Sequence, residues 1–290
     1  MGESIGFVGL GTIGAPLVEN LLRAGLDVFV HDLDADAVRA AADLGAHPVD
    51  SLAELGASAR IVGVCVPADA HVRAVLDGPD GLLAHLPAGA VVSIHSTVLP
   101  ETIRWAAGEA AARGVGVVEA PVTGGAAAAA VGRSTFLLAG APEHVEAIEP
   151  ILAACGEVRV PAGALGDASL LKLCVNLQTC VTFLGVLEAA SLARQLGLPI
   201  EGLKAAMEAN GQLGGMVGSY FLLQEMSPEV RSSPGVRETL ERNAAIVDKD
   251  LRLIAQVCDS HGISLPAARL AGASVADIFF LDPDKDGATP

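Results

Sequence analysis

The sequence predicts an α/β domain built on a doubly wound parallel sheet, residues 1–163, followed by an all-helical domain, residues 164–290. Three observations predict it. Short β-branched runs alternate with helical stretches as far as about Val160, that strand pattern then stops, and from about residue 164 the spacing is helical between Gly and Pro breaks. At 290 residues with 51% hydrophobic side chains the chain can bury two substantial cores, which excludes a disordered protein.

The runs IGFVGL, DVFVHD, ARIVGVCV, AVVSIHS, GVGVVEAPV, STFLLAG and GEVRV read as strands. Between them, 15–24, 36–44, 71–76, 100–112 and 143–152 carry helical spacing, with stops such as Gly25, Gly45 and Gly114. In the second domain the breaks fall at Gly197–Pro199, Gly211–Gly218, Ser227–Gly235 and Gly262–Pro266. A long apolar helix near 168–196 joins the domains. Lys172, Asn176, Gln178, Glu188 and Arg194 interrupt it, so it reads as a buried core helix and not as a membrane span. No repeat is visible, and Ala126–Ala130 is the one low-complexity patch.

A net charge of −16 leaves no basic patch for phosphates, which excludes proteins that coat nucleic acid or an anionic membrane. Any anionic substrate must then be held by local donors. Cys65, Cys155, Cys174, Cys180 and Cys258 have no CxxC or other close metal-ligand spacing, and most lie in apolar runs as reduced core thiols do. No metal site is expected, and the cytoplasm is the expected compartment. The first strand begins at Ser4, so no targeting leader is expected ahead of it.

Gly9-Leu10-Gly11-Thr12-Ile13-Gly14 is a GxGxxG sequence that follows a strand and opens a helix. Each glycine has its own reason there: a tight turn, backbone approach to a pyrophosphate, and close packing of helix on sheet. The second half of this Rossmann-type fingerprint is present in Asp32, which ends the next strand 18 residues past Gly14. An acid there accepts hydrogen bonds from ribose hydroxyls and repels a 2′-phosphate, and Leu33 follows it, not Arg, so NAD is expected in preference to NADP. His31, beside it, reads as a structural residue.

Open α/β sheets bind ligands at the carboxyl ends of their strands. Val64-Cys65-Val66-Pro67, Ile94-His95-Ser96-Thr97 and Glu119-Ala120-Pro121-Val122-Thr123-Gly124-Gly125 each end a strand-like run and are expected to line one crevice. In Thr123-Gly124-Gly125 two glycines let backbone N–H groups converge on an anion such as a carboxylate, with the Thr hydroxyl as a further donor. An ordinary Gly-Gly turn has the same composition. His95 has the chemistry of an acid or base but reads as a packed neighbour.

Only four lysines occur among the 18 basic residues, Lys172, Lys204, Lys249 and Lys285. Lys172 lies in a stretch apolar nearly all round, with Ser169 three residues before it and Asn176 four after it on one helical face. A partly desolvated lysine suits proton exchange with a hydroxyl or carbonyl oxygen, whereas a structural lysine would reach solvent or pair with an acid.

Four blocks together resemble the β-hydroxyacid dehydrogenase family over nearly the whole chain: GFVGLGTIGAPLVENLLRAG (6–25), APVTGG (120–125), GDASLLKLCVN (166–176) and DKDLRLIAQVCDSHGISLP (248–266). The resemblance implies an NAD-dependent enzyme that moves a hydride to or from a small hydroxy acid, 3-hydroxyisobutyrate-like or a 2-hydroxy-3-oxo acid. It implies Lys172 as catalytic residue with Asn176 positioning it or the substrate oxygen, and Thr123, Gly124 and Gly125 as holders of the substrate carboxylate. Thr97 would contact the cofactor near the nicotinamide, Val66 and Pro67 would line the cofactor cleft, and His71 would face the cofactor. Lys249 would reach the active site from the helical domain, and the protein would be a homodimer or homotetramer. Thr123 stands where serine is commoner, Ala128 where glycine is usual, and Val175 where the first of two asparagines usually sits, so the pocket wall differs. An imine reductase-like enzyme and a non-catalytic NAD-binding sensor are the alternatives; neither needs Lys172, Asn176 and Thr123 together.

Overall fold

The computed structural model describes residues 4–282, so Lys285 lies outside the described residues. The chain divides into two compact units, Met1–Lys172 and Leu173–Pro290, with the division inside one long helix.

The first unit runs β1 (Ile5–Val8), α1 (Gly14–Arg23), β2 (Val28–His31), α2 (Ala35–Asp43), β3 (His47–Pro48), α3 (Leu52–Ser58), β4 (Ile61–Val64), α4 (Asp69–Leu76), β5 (Val91–Ile94), α5 (Pro100–Ala111), β6 (Gly116–Glu119), β7 (Val122–Thr123), α6 (Gly125–Ala130), β8 (Ser134–Ala139), α7 (Pro142–Ala147), α8 (Glu149–Cys155) and β9 (Gly156–Gly163). The strands form one sheet in the order β3-β2-β1-β4-β5-β6-β8-β7, with β9 on β8. The first six positions have the 3-2-1-4-5-6 order of a Rossmann sheet, which confirms the predicted fold class. Crossovers run one way from β1 to β3 and the other way from β4 to β6, which leaves a switch point between β1 and β4. β1, β4, β5 and β6 are buried along their whole length, as a sheet covered on both faces requires.

The expected parallel sheet carries two antiparallel pairings at one edge. β8 runs antiparallel to β6 and β7, while β9 returns parallel to β8. A parallel crossover needs a dozen or more residues, and the connection 124–133, which holds only the short α6, cannot supply one. The run GVGVVEAPV is also split, because Pro121 has no N–H to donate between β6 and β7. Likewise 143–152 is two helices, with Pro150 in the first turn of α8 starting the second.

The long helix α9 (Asp167–Gln195) begins in the first unit and continues as the first helix of the second. The second unit adds α10 (Ile200–Ala209), α11 (Gly215–Glu225), α12 (Pro228–Arg231), α13 (Pro234–His261), α14 (Pro266–Ala273) and α15 (Val275–Ile278). Two of the expected breaks are shorter than predicted, since α11 starts at Gly215 and α12 occupies part of Ser227–Gly235. Its core includes Phe183 stacked on Tyr220, whose hydroxyl donates to the Ile278 carbonyl at 2.9 Å.

α9 differs from the buried helix expected of it. By length and composition it could cross a membrane, and only 33% of its most apolar window is buried. A helix apolar on all sides cannot hide every face in one small unit, and Leu192 is 60% exposed. Two of the polar side chains that interrupt it have partners within the protein: Asn176 Nδ2 donates to Asp250 at 2.6 Å, and Arg194 donates to the Gln224 carbonyl at 2.6 Å.

Candidate active site

The turn from β1 into α1 gives each glycine of the fingerprint a separate physical role. Gly9 has φ +96°, and a Cβ on it would stand 2.2 Å from the Cys65 carbonyl oxygen. A Cβ on Gly14 would stand 1.9 Å from the Gly9 carbonyl oxygen, so α1 can sit this close to β1 only without a side chain there. Around Gly11 nothing lies within 4 Å of where a Cβ would be. Ile13 caps α1 with no side-chain hydrogen bond. An open backbone at the N-terminus of a ten-residue helix fits a dinucleotide pyrophosphate.

Asp32 stands just past β2 and ties the turn down. Its Oδ2 accepts the Leu10 N–H at 2.5 Å, and its Oδ1 accepts the Asp34 N–H at 2.8 Å. The carboxylate is thus brought to the glycine turn. His31 is turned away to the Val49 carbonyl, 3.1 Å from its Nδ1, and has the structural role expected of it.

β4 and β5 are neighbours in the sheet, so their loops lie side by side. The Val66 N–H donates to Ser96 Oγ at 2.8 Å, which joins the Val66-Pro67 and Ser96-Thr97 segments. Thr97 is half-buried and Pro67 exposed; His71 is exposed on α4. A second tie went unread in the sequence: Asp69 accepts the Leu99 N–H at 2.8 Å and the Thr102 hydroxyl at 2.7 Å, pinning the start of α4 to the start of α5. An Asp at a helix start is a common cap, and nothing in the sequence said it would reach another helix.

His95 is a core residue, as expected. Its Nδ1–H donates to the Ala120 carbonyl at 3.0 Å, its ring stacks on Phe7 and meets Phe136 edge-on, and its Nε2 is buried without a hydrogen-bond partner. Burial pulls its pKa down from 6.5 to about 4, opposed only by the Ala120 bond, so the ring is neutral at pH 7.

Thr123 ends β7, and the next two residues have φ +111° at Gly124 and +70° at Gly125. Two successive left-handed residues make a turn that only glycine adopts cheaply. A Cβ on Gly124 would also stand 2.7 Å from that of Ala128.

Lys172 is 8% exposed, on the same helical face as Ser169 and Asn176. The first turn of its helix is held by Glu119, a fully buried carboxylate that no local sequence pattern marks as functional. Its Oε2 accepts the Gly166 N–H at 2.7 Å and its Oε1 the Ser169 N–H at 2.5 Å. Burial raises the pKa of Glu119, and its hydrogen bonds from residues 166–169 oppose the rise.

In the second unit, Asp250 is 4% exposed and accepts from Asn176, and Lys249 Nζ lies 3.1 Å from its Oδ1. A carboxylate accepts only donors, so Asn176 must turn its NH₂ toward Asp250 and keep its carboxamide oxygen as an acceptor. None of the five cysteines forms a disulfide, and Cys174 is exposed, against the expectation of core thiols.

Residues 4–183 match the family model of the NAD binding domain of 6-phosphogluconate dehydrogenase. The NAD-dependent L-serine dehydrogenase of Pseudomonas aeruginosa is 32% identical over 277 residues, covering 93% of this chain and 90% of that protein. The chain belongs to the β-hydroxyacid dehydrogenase family. The 3-hydroxyisobutyrate dehydrogenase of the same organism is also 32% identical, over 92% of this chain and 89% of its own length. Among solved structures, the Mycobacterium tuberculosis 3-hydroxyisobutyrate dehydrogenase with L-serine is similar at a TM-score of 0.77 and 26% identity, covering 96% of this chain and 94% of that one. An imine reductase from Pseudomonas sp. shares the fold, with a TM-score of 0.65 at 17% identity, over 97% of this chain and 96% of its own. This β-hydroxyacid dehydrogenase family member is an NAD(P)-dependent enzyme.

Proposed function

We propose that the enzyme reversibly oxidises the hydroxyl of a small 3-hydroxy carboxylate with NAD, and that Lys172 is the proton-transfer residue. The observation that carries this is a buried lysine on a helix whose first turn is seated on the strand that leads into the Thr123-Gly124-Gly125 turn. The serine and 3-hydroxyisobutyrate named for the two relatives are both 3-hydroxy acids with a hydroxymethyl group beside the carboxylate-bearing carbon, which supports this class.

NAD, when bound, would supply the hydride acceptor for oxidation and, reduced, the donor for the reverse. The chain's own residues do the rest. The Thr123 hydroxyl and the backbone N–H groups of Gly124 and Gly125 hold the carboxylate. In oxidation the neutral Lys172 amine takes the hydroxyl proton as the carbonyl forms; in reduction its ammonium donates to the oxygen where negative charge builds. Asn176, turned by Asp250, offers its carboxamide oxygen as an acceptor on the lysine's helical face. Gly9, Gly11 and Gly14 with Leu10, Thr12 and Ile13 bind the pyrophosphate, Asp32 binds the ribose, and Val66, Pro67, His71 and Thr97 wall the cleft. Lys249 is assigned to substrate and cofactor binding on the family resemblance. Cysteines in the thiol form support a reducing compartment, the cytoplasm, and the exposed Leu192, Leu196, Leu198, Met216 and Leu222 of the second unit support a homodimer or homotetramer.

Steady-state assays of L-serine and 3-hydroxyisobutyrate with NAD test the reading. Lys172→Ala is expected to fold, to bind NAD as the wild type does, and to lose roughly 10²-fold or more in turnover, the scale of a general acid–base contribution. A folded variant that turns over at near the wild-type rate returns Lys172 to a structural role.

A further inference from the structure

We propose that Glu119 is a positioning residue for the proton-transfer step: from the end of β6 its carboxylate holds the first turn of α9 at two points and so sets where Lys172 stands relative to the Thr123-Gly124-Gly125 turn. This rests on the reading of Lys172 given above.

The two ends of the connection are both short. On the strand side, Glu119 pairs in register with Ile94 of β5 and Ala139 of β8, so its backbone is fixed within the sheet. The next residue, Ala120, takes the His95 hydrogen bond, and Thr123 follows three residues later. On the helix side the N–H groups captured are those of Gly166 and Ser169, and Lys172 lies three residues beyond Ser169. Substrate turn and lysine are therefore each about one helical turn or one short strand segment from the same carboxylate.

Two bonds to two different oxygens do what one cannot. A single bond would let the helix pivot about it; a hold at Gly166 and Ser169 fixes both its height and its rotation about its own axis. The entry to α9 has little freedom to adjust otherwise. Gly166 has φ +104°, and a Cβ on it would stand 2.8 Å from the Arg104 guanidinium and 3.1 Å from Pro100.

Capping alone does not account for a carboxylate here. Asp167 already closes the entry locally, its Oδ2 accepting the Ala164 N–H at 2.8 Å. Glu119 is in addition wholly buried, where an ionised carboxylate is costly. A more exposed acid would cap the helix more cheaply but would not tie it to the strand.

The test uses the intact enzyme with saturating NAD, whichever of L-serine and 3-hydroxyisobutyrate it turns over, and the variants Glu119→Gln and Glu119→Asp. Gln keeps the shape but offers one acceptor for two N–H groups; Asp keeps both acceptors but is one methylene short. For a displacement of about an ångström, kcat is expected to fall roughly 10- to 100-fold while the Kd of NAD stays within about twofold. The solvent deuterium isotope effect on kcat should rise, because the misplaced proton transfer becomes more rate-limiting, which a general loss of structure would not produce. A kcat within about twofold of wild type in the folded variants overturns the proposal, as does a loss of kcat matched by an equal loss of NAD affinity. If Glu119→Gln does not fold, Glu119→Asp decides by the same criteria; if neither folds, the carboxylate serves the fold and the proposal is overturned. Lys172→Ala separates the two readings. An active Lys172→Ala overturns the mechanism itself, whereas an inactive Lys172→Ala beside fully active Glu119 variants overturns only the role of Glu119.

Discussion

The glycine turn after β1 and the glycine pair after β7 use one residue type for different physical ends. In the first, Gly14 is required because α1 lies against the Gly9 carbonyl, while Gly11 faces open space. In the second, Gly124 and Gly125 are required by their own backbone, at φ +111° and +70°. Space alone decides at Gly14, both space and a left-handed backbone decide at Gly9 and Gly124, and neither decides at Gly11, and the difference teaches that a glycine motif must be read position by position. Substitutions that look alike should then have unlike effects.

The largest contrast lies within the first turn. Gly14→Ala drives a methyl into a backbone carbonyl that cannot yield, so stability should fall by about 1–3 kcal/mol and the Kd of NAD should rise by roughly 10²-fold. Gly11→Ala meets nothing, so its melting temperature should hold or rise slightly, while its methyl obstructs the pyrophosphate and weakens NAD roughly 10-fold. Thermal melts and calorimetric titration of the two variants check this. Equal losses of stability would mean that space is not what distinguishes Gly11 from Gly14.

His95 links the two regions, since it stacks on Phe7 of β1 and bonds the carbonyl of Ala120 on the way to Thr123. With its pKa at about 4 in the fold and 6.5 when unfolded, only the unfolded chain takes up the proton in between. The stability contributed by the neutral ring is therefore present above pH 6.5 and is lost as the pH falls toward 4. Between pH 7 and pH 4.5 this amounts to roughly 2–3 kcal/mol. Urea unfolding of the wild type and of His95→Phe at the two pH values measures it, and a wild-type pH dependence no steeper than the variant's would show that the ring is not buried neutral.

Much of this was legible in the sequence, for reasons that also explain what was not. GxGxxG and Asp32 carry their chemistry in residue type and spacing, and a lysine within an apolar helix is conspicuous by cost. β3 is two residues long and includes a proline, so it has no periodicity to read. α3 was missed although Ser51-Leu-Ala-Glu54 is a capping signature, and in the fold Ser51 Oγ does accept the Glu54 N–H at 3.1 Å. The reversal of β8 depends on loop length as well as strand composition. Glu119, Asp69 and Asp250 act on partners 30 or more positions away, which is a property of the fold and leaves no local pattern.

In the second turn, Gly124→Ala places a side chain at φ +111° against Ala128. The strain is about 1–2 kcal/mol and falls on the loop itself, so the KM of the hydroxy acid should rise roughly 10-fold while the Kd of NAD, whose turn follows a different strand, stays within about twofold. Initial rates against substrate at saturating NAD, with NAD binding measured separately, give both numbers. Weakened NAD with unchanged KM would move the anion site away from Thr123-Gly124-Gly125.

The smallest effect expected concerns which nucleotide the first turn accepts. Asp32 is already engaged, with one oxygen on the Leu10 N–H and the other on the Asp34 N–H, but each carboxylate oxygen has a second lone pair with which to accept from a ribose hydroxyl. The same negative charge opposes a 2′-phosphate, so the wild type should bind NAD more tightly than NADP by about 1 kcal/mol or more, the scale of one charge-assisted hydrogen bond. Asp32→Asn keeps the volume and removes the charge. Its NH₂ must face one of the two amides, so NAD binding should weaken slightly, and the loss of repulsion should bring NADP closer, narrowing the preference roughly 10-fold. Calorimetry with both nucleotides on both proteins measures four affinities. If the wild type prefers NADP, or if the ratio is the same in Asp32→Asn, then Asp32 serves only to brace Leu10, and the turn after β1 does not read the ribose at all.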